Sequence, residues 1–223
     1  MDRTLLRRGL PCLVAAAAVS ALASATPAVA DSGAPARPNG LIKTADHTGA
    51  RDVVPVHAPL NATPSAAKKL TFTEQVQSQD QWCWAATGSS IERTLGGKAT
   101  QRQFCAAGKD SSASYCPNEG AEIDEIVHAF QGTGYKAENA NGAITFAAVV
   151  GQIDAGIPHL TGIYWTSGGG HANVIYGYDS TNKSIMVGDP WPEYQRYQTW
   201  AYSRYRTNGQ FTWGDTIVNI AKA

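Results

Sequence analysis

All of the chain's 6 Trp, 9 Tyr and 5 Phe residues lie beyond Leu70. Large aromatic side chains carry much of the apolar area that a core buries. The part able to fold around a core is therefore Thr71 to Ala223, 153 residues (223 less the first 70), which suits one domain. The stretch before it, Asp31 to Leu70, holds Pro35, Pro38, Pro55, Pro59 and Pro64 among small residues and shows no helical periodicity. It is expected to be a disordered linker or a short pro-segment, with Lys68-Lys69 as a processing point.

The first thirty residues read as a secretory signal peptide. Arg3, Arg7 and Arg8 form a basic head, Leu10 to Leu22 an apolar middle, and Ala28-Val29-Ala30 a small-residue end before Asp31. The apolar run is too short for a permanent membrane span. A secreted, extracellular protein is expected. Removing this leader takes away three Arg and one Asp, which turns a balance of 18 basic and 18 acidic residues into a net charge of about −2. Neither nucleic acid nor an anionic membrane is then a natural partner, because both need clustered cationic surface. Cleavage also removes Cys12 and leaves Cys83, Cys105 and Cys116. In an oxidising compartment that odd number means one disulfide, expected between Cys105 and Cys116 across the Ser-rich loop, and one free thiol.

Helices come first in the folded part. Trp82 to Leu95 has Ile91 and Leu95 one turn apart and stops at Gly96-Gly97. Thr100 and Gln103 form a capping box that opens a second helix, ending near Ala107. Ala121 to Gln131 puts Ile123, Ile126, Val127 and Phe130 on one face, and Thr145 to Ala155 is a fourth helix. Strand patterns follow at His159 to Trp165, Ala172 to Tyr178, Ser184 to Val187 and Phe211 to Ile220. Without βαβ alternation, this is an α+β architecture, with a helical half and an antiparallel sheet half.

Neither a phosphate loop nor a Gly-x-Ser-x-Gly elbow is present, and no His or Cys pair has zinc-ligand spacing, so no metal or organic cofactor is expected. Cys83 stands at the first turn of the first helix, where free amide N–H groups and the helix dipole favour a thiolate. The competing reading is an inert buried cysteine, or one that pairs with Cys105 or Cys116. His171 follows Gly168-Gly169-Gly170, glycines that let a substrate backbone come close, and is the candidate base. His47 and His57 fall in the linker, while His128 and His159 read as surface or packing residues. Asp189, just across the Thr181-Asn182 turn from the histidine strand, is within reach to fix the imidazole tautomer. Asp189-Pro190 can equally be a turn former. Trp191 can shield the His–Asp contact or belong to the core. Tyr194, Tyr197, Trp200, Tyr202, Tyr205 and Trp213 form an aromatic strip that reads as packing rather than a ligand platform.

Nucleophile, base and orienting acid in this order resemble the papain-like cysteine proteases, above all their compact bacterial branches: staphopain-like secreted proteases, effector proteases with Cys-Trp at the helix start, and peptidases that process bacteriocin leaders. The resemblance runs from Thr71 to Trp191. It rests on Gln77, on Cys83-Trp84-Ala85-Ala86, on Gly170-His171-Ala172-Asn173 and on Gly188-Asp189-Pro190-Trp191. It implies a papain-like fold, with Cys83 as nucleophile, His171 as base and then acid, and Asp189 where plant members use Asn. Gln77 would lend its amide to the oxyanion hole, with Gln79 as rival, and Trp84, Gly169, Gly170 and Trp191 would line the substrate. It implies a monomeric endopeptidase acting on a protein or peptide through a thioester, with an inhibitor protein as a further possible partner. Two other readings compete: transglutaminase-like or peptidoglycan-directed amidase chemistry on the same triad, and a secreted binding module without catalysis.

Overall fold

A computed structural model describes residues 37–47, 49–53, 65–112 and 114–223. The expected leader and Cys12 lie outside the described residues. The elements in chain order are β1 (Ala50–Arg51), β2 (Ala67–Lys69), α1 (Cys83–Thr94), α2 (Gln101–Gly108), α3 (Ile123–Gly132), β3 (Tyr135–Asn139), β4 (Ala143–Ile144), α4 (Phe146–Asp154), β5 (His159–Trp165), β6 (Gly170–Asp179), β7 (Ser184–Gly188), β8 (Tyr197–Ala201), α5 (Tyr202–Arg206) and β9 (Phe211–Lys222). A seven-stranded sheet runs β3-β9-β5-β6-β7-β8, with β2 added against β6, and all of its pairings are antiparallel. β1 pairs with β4 in a two-residue parallel ladder. The architecture is α+β, with a helical half and a sheet half.

The helix boundaries follow their caps. The Thr100 hydroxyl accepts from Gln103 N–H at 3.2 Å while the Gln103 side chain accepts from Thr100 N–H at 3.0 Å, which closes the expected capping box. Thr145 caps α4 by accepting from Ala148 N–H at 3.2 Å. Glu122 N–H donates to the Glu125 side chain at 2.8 Å at the head of α3, so that helix begins two residues later than its apolar pattern suggests. Cys105, inside α2, is bridged to Cys116, and Cys83 is the free cysteine among the described residues. Closing so short a loop contributes about 3 kcal/mol in the chain-entropy view.

α1 is buried from Cys83 to Glu92. Its run of small residues makes this possible. A methyl group on Gly88 would stand 2.3 Å from the Phe104 ring, so α2 approaches to backbone distance. Trp84 of α1, Phe104 and Phe130 meet at tilted and edge-to-face angles, with ring centroids 6.1 Å and 4.9 Å apart. The other flank of α1 meets β6, where the Thr87 hydroxyl donates to Ala172 O at 3.4 Å. The first residue of α1 is thereby carried to the first residues of β6.

The aromatic strip is mostly packing. Tyr205 and Trp213 are fully buried, and Trp200, Tyr205, Phe211 and Trp213 meet edge to face at 5.6–6.0 Å. Tyr197 on the edge strand β8 stays exposed. The order of elements departs from helices then strands: β3 falls between α3 and α4, and α5 between β8 and β9. The sheet also starts before Thr71, since Lys68-Lys69 sits inside β2, opposite Gly177 and Tyr178.

Candidate active site

Cys83 and His171 both have zero exposure, and the Cys83 Sγ accepts a hydrogen bond from Ala172 N–H at 3.3 Å. That contact pins the sulfur beside the backbone of His171. The His171 Nε2 bonds Asp189 Oδ1 at 2.8 Å. The β6–β7 register explains the meeting: Val174 lies opposite Gly188, so the residue after Gly188 falls beside the start of β6. Asp189 is held in turn, because its Oδ1 also accepts from Trp191 N–H at 2.9 Å and its own N–H donates to Arg196 O at 3.0 Å.

Burial works against a charged imidazole. The charge and hydrogen bond of Asp189, followed by the hydrogen bond and charge of Cys83, outweigh it and push His171 up to about 10. The buried Nδ1 has no hydrogen-bond partner, and the Cys83 side chain is the group whose interaction adds to that of Asp189. The structure thus brings the three sequence-derived residues together, with one ring nitrogen on the carboxylate and the other unpaired.

Trp165 is a participant that the sequence did not reveal. Its ring stacks on His171 at 6.2 Å and 17°. The β5–β6 register sets Tyr164 opposite Gly170, and no spacing along the chain announces that. Trp191 is buried, with its ring against Tyr194 at 6.5 Å. Trp84 does not line a cleft. It is fully buried on the inner face of α1, its indole N–H donates to Glu119 O at 3.1 Å, and its ring packs on Phe104. An aromatic next to the nucleophile points about 100° away around a helix, which sends it into the core.

Gln77 is buried, and its backbone N–H donates to Pro190 O at 2.9 Å. Its side-chain amide donates to Gln79 O and to Asp80 O, both at 2.8 Å, which ties down the turn that leads into α1. Gln79 is exposed. Gly169 has φ +83° and Gly170 follows in the strand, where a methyl group would meet the Tyr164 ring at 2.7 Å. Among the described residues, no group of three or more His, Cys, Asp or Glu could hold a metal ion.

A second carboxyl lies beneath this group. Glu74 is 5% exposed and neither of its oxygens has a hydrogen-bond partner. The Ser90 hydroxyl close by already donates to Ala86 O at 2.7 Å and accepts from Gln75 N–H at 3.0 Å. Desolvation, with the Asp189 charge adding to it, pushes Glu74 up to about 8. Between pH 4.5 and 8 the folded chain then binds more protons here than the unfolded chain, so stability falls as pH rises through that window. Glu74→Gln keeps the shape of the neutral acid. Its unfolding free energy in urea titrations should match the wild type at pH 4 and exceed it at pH 9, by a difference on the order of a few kcal/mol. Identical pH profiles for the two chains would contradict a neutral Glu74.

Comparison with known proteins adds the family. The model of the papain-like cysteine protease AvrRpt2 family matches residues 64–208. Xylellain, a cysteine protease from Xylella fastidiosa, shares the fold with a TM-score of 0.59 at 13% identity, covering 84% of this chain and 97% of its own. The peptidase domain of Streptococcus mutans ComA is more distant, with a TM-score of 0.42 at 20% identity, covering 67% of this chain and 98% of its own. No curated protein sequence matches the chain.

Proposed function

The chain belongs to the family of the papain-like cysteine protease AvrRpt2 and is a cysteine peptidase, and from that premise we propose that it is a secreted endopeptidase working through Cys83, His171 and Asp189. One observation carries the assignment of roles: the buried His171 bonds Asp189 at 2.8 Å while the Cys83 sulfur rests 3.3 Å from the next backbone N–H. Cys83 gives its proton to His171 Nδ1, and the sulfur attacks the carbonyl carbon of a peptide bond. The carbonyl electron pair moves to oxygen, where the Cys83 N–H and the Gln77 amide receive it once that amide turns from the carbonyls it now holds. Collapse breaks the C–N bond, and the amine leaves with the proton from His171. Water, deprotonated by the same nitrogen, then cleaves the thioester and releases the acid. Asp189 keeps the ring in the tautomer that these transfers need.

The leader-like Met1 to Ala30 and the Cys105–Cys116 disulfide support export to an oxidising compartment. The substrate would be an extended protein segment and the working unit a monomer. Water as acceptor separates this reading from acyl transfer. An unstructured protein incubated with the enzyme and a labelled primary amine should gain new peptide N-termini and incorporate no label. Label incorporation without new N-termini would make the chain a transferase.

A further inference from the structure

The start of α1 is gripped by a short loop, Cys116 to Glu119. Cys116 is bridged to Cys105 inside α2. Each of the next three residues then takes one N–H from the residues around Cys83. Pro117 O accepts from the Trp82 indole N–H at 2.8 Å. The Asn118 side-chain oxygen accepts from Gln81 N–H at 3.0 Å. Glu119 O accepts from the Trp84 indole N–H at 3.1 Å. Positions 81, 82 and 84 bracket the nucleophile on both sides. Trp82 and Trp84 are both buried, so each indole would be a donor without a partner if the loop moved away.

The grip falls where the helix has no cap of its own. Trp82 stands at the N-cap of α1 and makes no side-chain capping bond, and the first turn holds no acidic residue. Contacts from elsewhere in the fold therefore fix this end. Gln77 holds the same turn from another side, its amide donating to Gln79 O and Asp80 O at 2.8 Å. That hold is given up when the amide turns to an oxyanion, and the loop is what remains.

We propose that Cys116 to Glu119 is a clamp that keeps the Cys83 sulfur and backbone N–H in attacking position, with Asn118 as a positioning residue for the cleavage step and the disulfide as the anchor of the clamp. This rests on the reading of Cys83 as the nucleophile. Asn118 acts through the Gln81 peptide and not by touching the substrate. A displacement of about 1 Å at a reacting group can cost about a hundredfold in rate, so a hold at this point governs turnover more than binding. The fixed φ of Pro117 and the bridge at Cys116 limit how far the loop can drift.

The test is made on the full chain. Asn118 is exposed, so Asn118→Leu removes the acceptor without opening the core, and Asn118→Asp keeps an oxygen in its place. Rates are measured on a fluorogenic peptide built around one of the chain's mapped cut sites. Asn118→Leu should lower kcat about tenfold or more and leave KM within about twofold, and Asn118→Asp should recover most of kcat. The Cys105→Ser, Cys116→Ser chain should show the same fall in kcat below its melting temperature. Alkylation of Cys83 by iodoacetamide, followed by mass spectrometry, gives a readout that needs no turnover. Cys83 has zero exposure, and loosening its seat in Asn118→Leu should speed alkylation about threefold or more, with Asn118→Asp near the unaltered chain. Equal kcat in Asn118→Leu and the unaltered chain would overturn the clamp, as would an equal loss with Leu and with Asp. Faster alkylation in Asn118→Leu alone, with no peptide cleaved by any chain, would uphold the clamp and sink the peptidase reading. Cleavage and alkylation at the same rates in all chains would do the reverse.

Discussion

Cys83→Ala should lower peptide cleavage by about four orders of magnitude or more, as loss of a nucleophile does in hydrolases that work through a covalent intermediate. Removing one buried sulfur atom costs about 1 kcal/mol of packing, too little to unfold a domain of this size. Substrate binding should persist, since no wall of the groove is altered. Loss of turnover with a retained melting temperature and retained peptide affinity assigns the chemistry to the sulfur. Cleavage surviving in the variant would place it elsewhere.

Asp189→Ala should cost about two to four orders of magnitude in kcat, acting through His171 rather than through contact with the substrate. Asp189 supplies both the charge and the hydrogen bond that lift His171 to about 10 against the penalty of burial. Without the carboxylate, burial wins and the ring loses its proton far more readily. A second readout follows from linkage. With a folded-state value raised above 6.5, His171 contributes stability that is fully present below about pH 6.5 and is lost as pH rises through about 10. In Asp189→Ala that pH dependence should flatten. Asp189→Asn keeps an acceptor for the imidazole N–H and should recover most of kcat while losing the charge-dependent part of the stability profile. A His171 NMR titration that is the same in all three chains would show that Asp189 does not govern the ring.

Local signals carried much of this fold. The capping box at Thr100 and the seven-residue β5 are fixed by side chains close in sequence, and β5 appears at the limits that its pattern suggests. The His171–Asp189 contact was legible because a hairpin turns an 18-residue separation into adjacency. β3 and β8 were not legible. Tyr135–Asn139 carries Lys136 and Glu138 on its outer face, and Tyr197–Ala201 has no fully buried position, so neither presents an apolar run. They form because an edge offers them backbone partners. The N-terminal segment is the extreme case. Residues 37–47 have no periodicity of their own, and Pro38 and Gly40 read as linker. Their order comes from the carbonyls and amides of Gly170 and Ala121. Trp84 was misplaced for a related reason: motif proximity to Cys83 says nothing about which side of the helix faces the groove.

The most direct test maps every new peptide N-terminus produced from an unstructured protein by the unaltered chain, with Cys83→Ala as control. Hydrolysis through Cys83 predicts a defined set of cut sites with the first chain and none with the second. The same sites from both chains, or no new termini from either while Cys83 alkylates rapidly in the first, would contradict it.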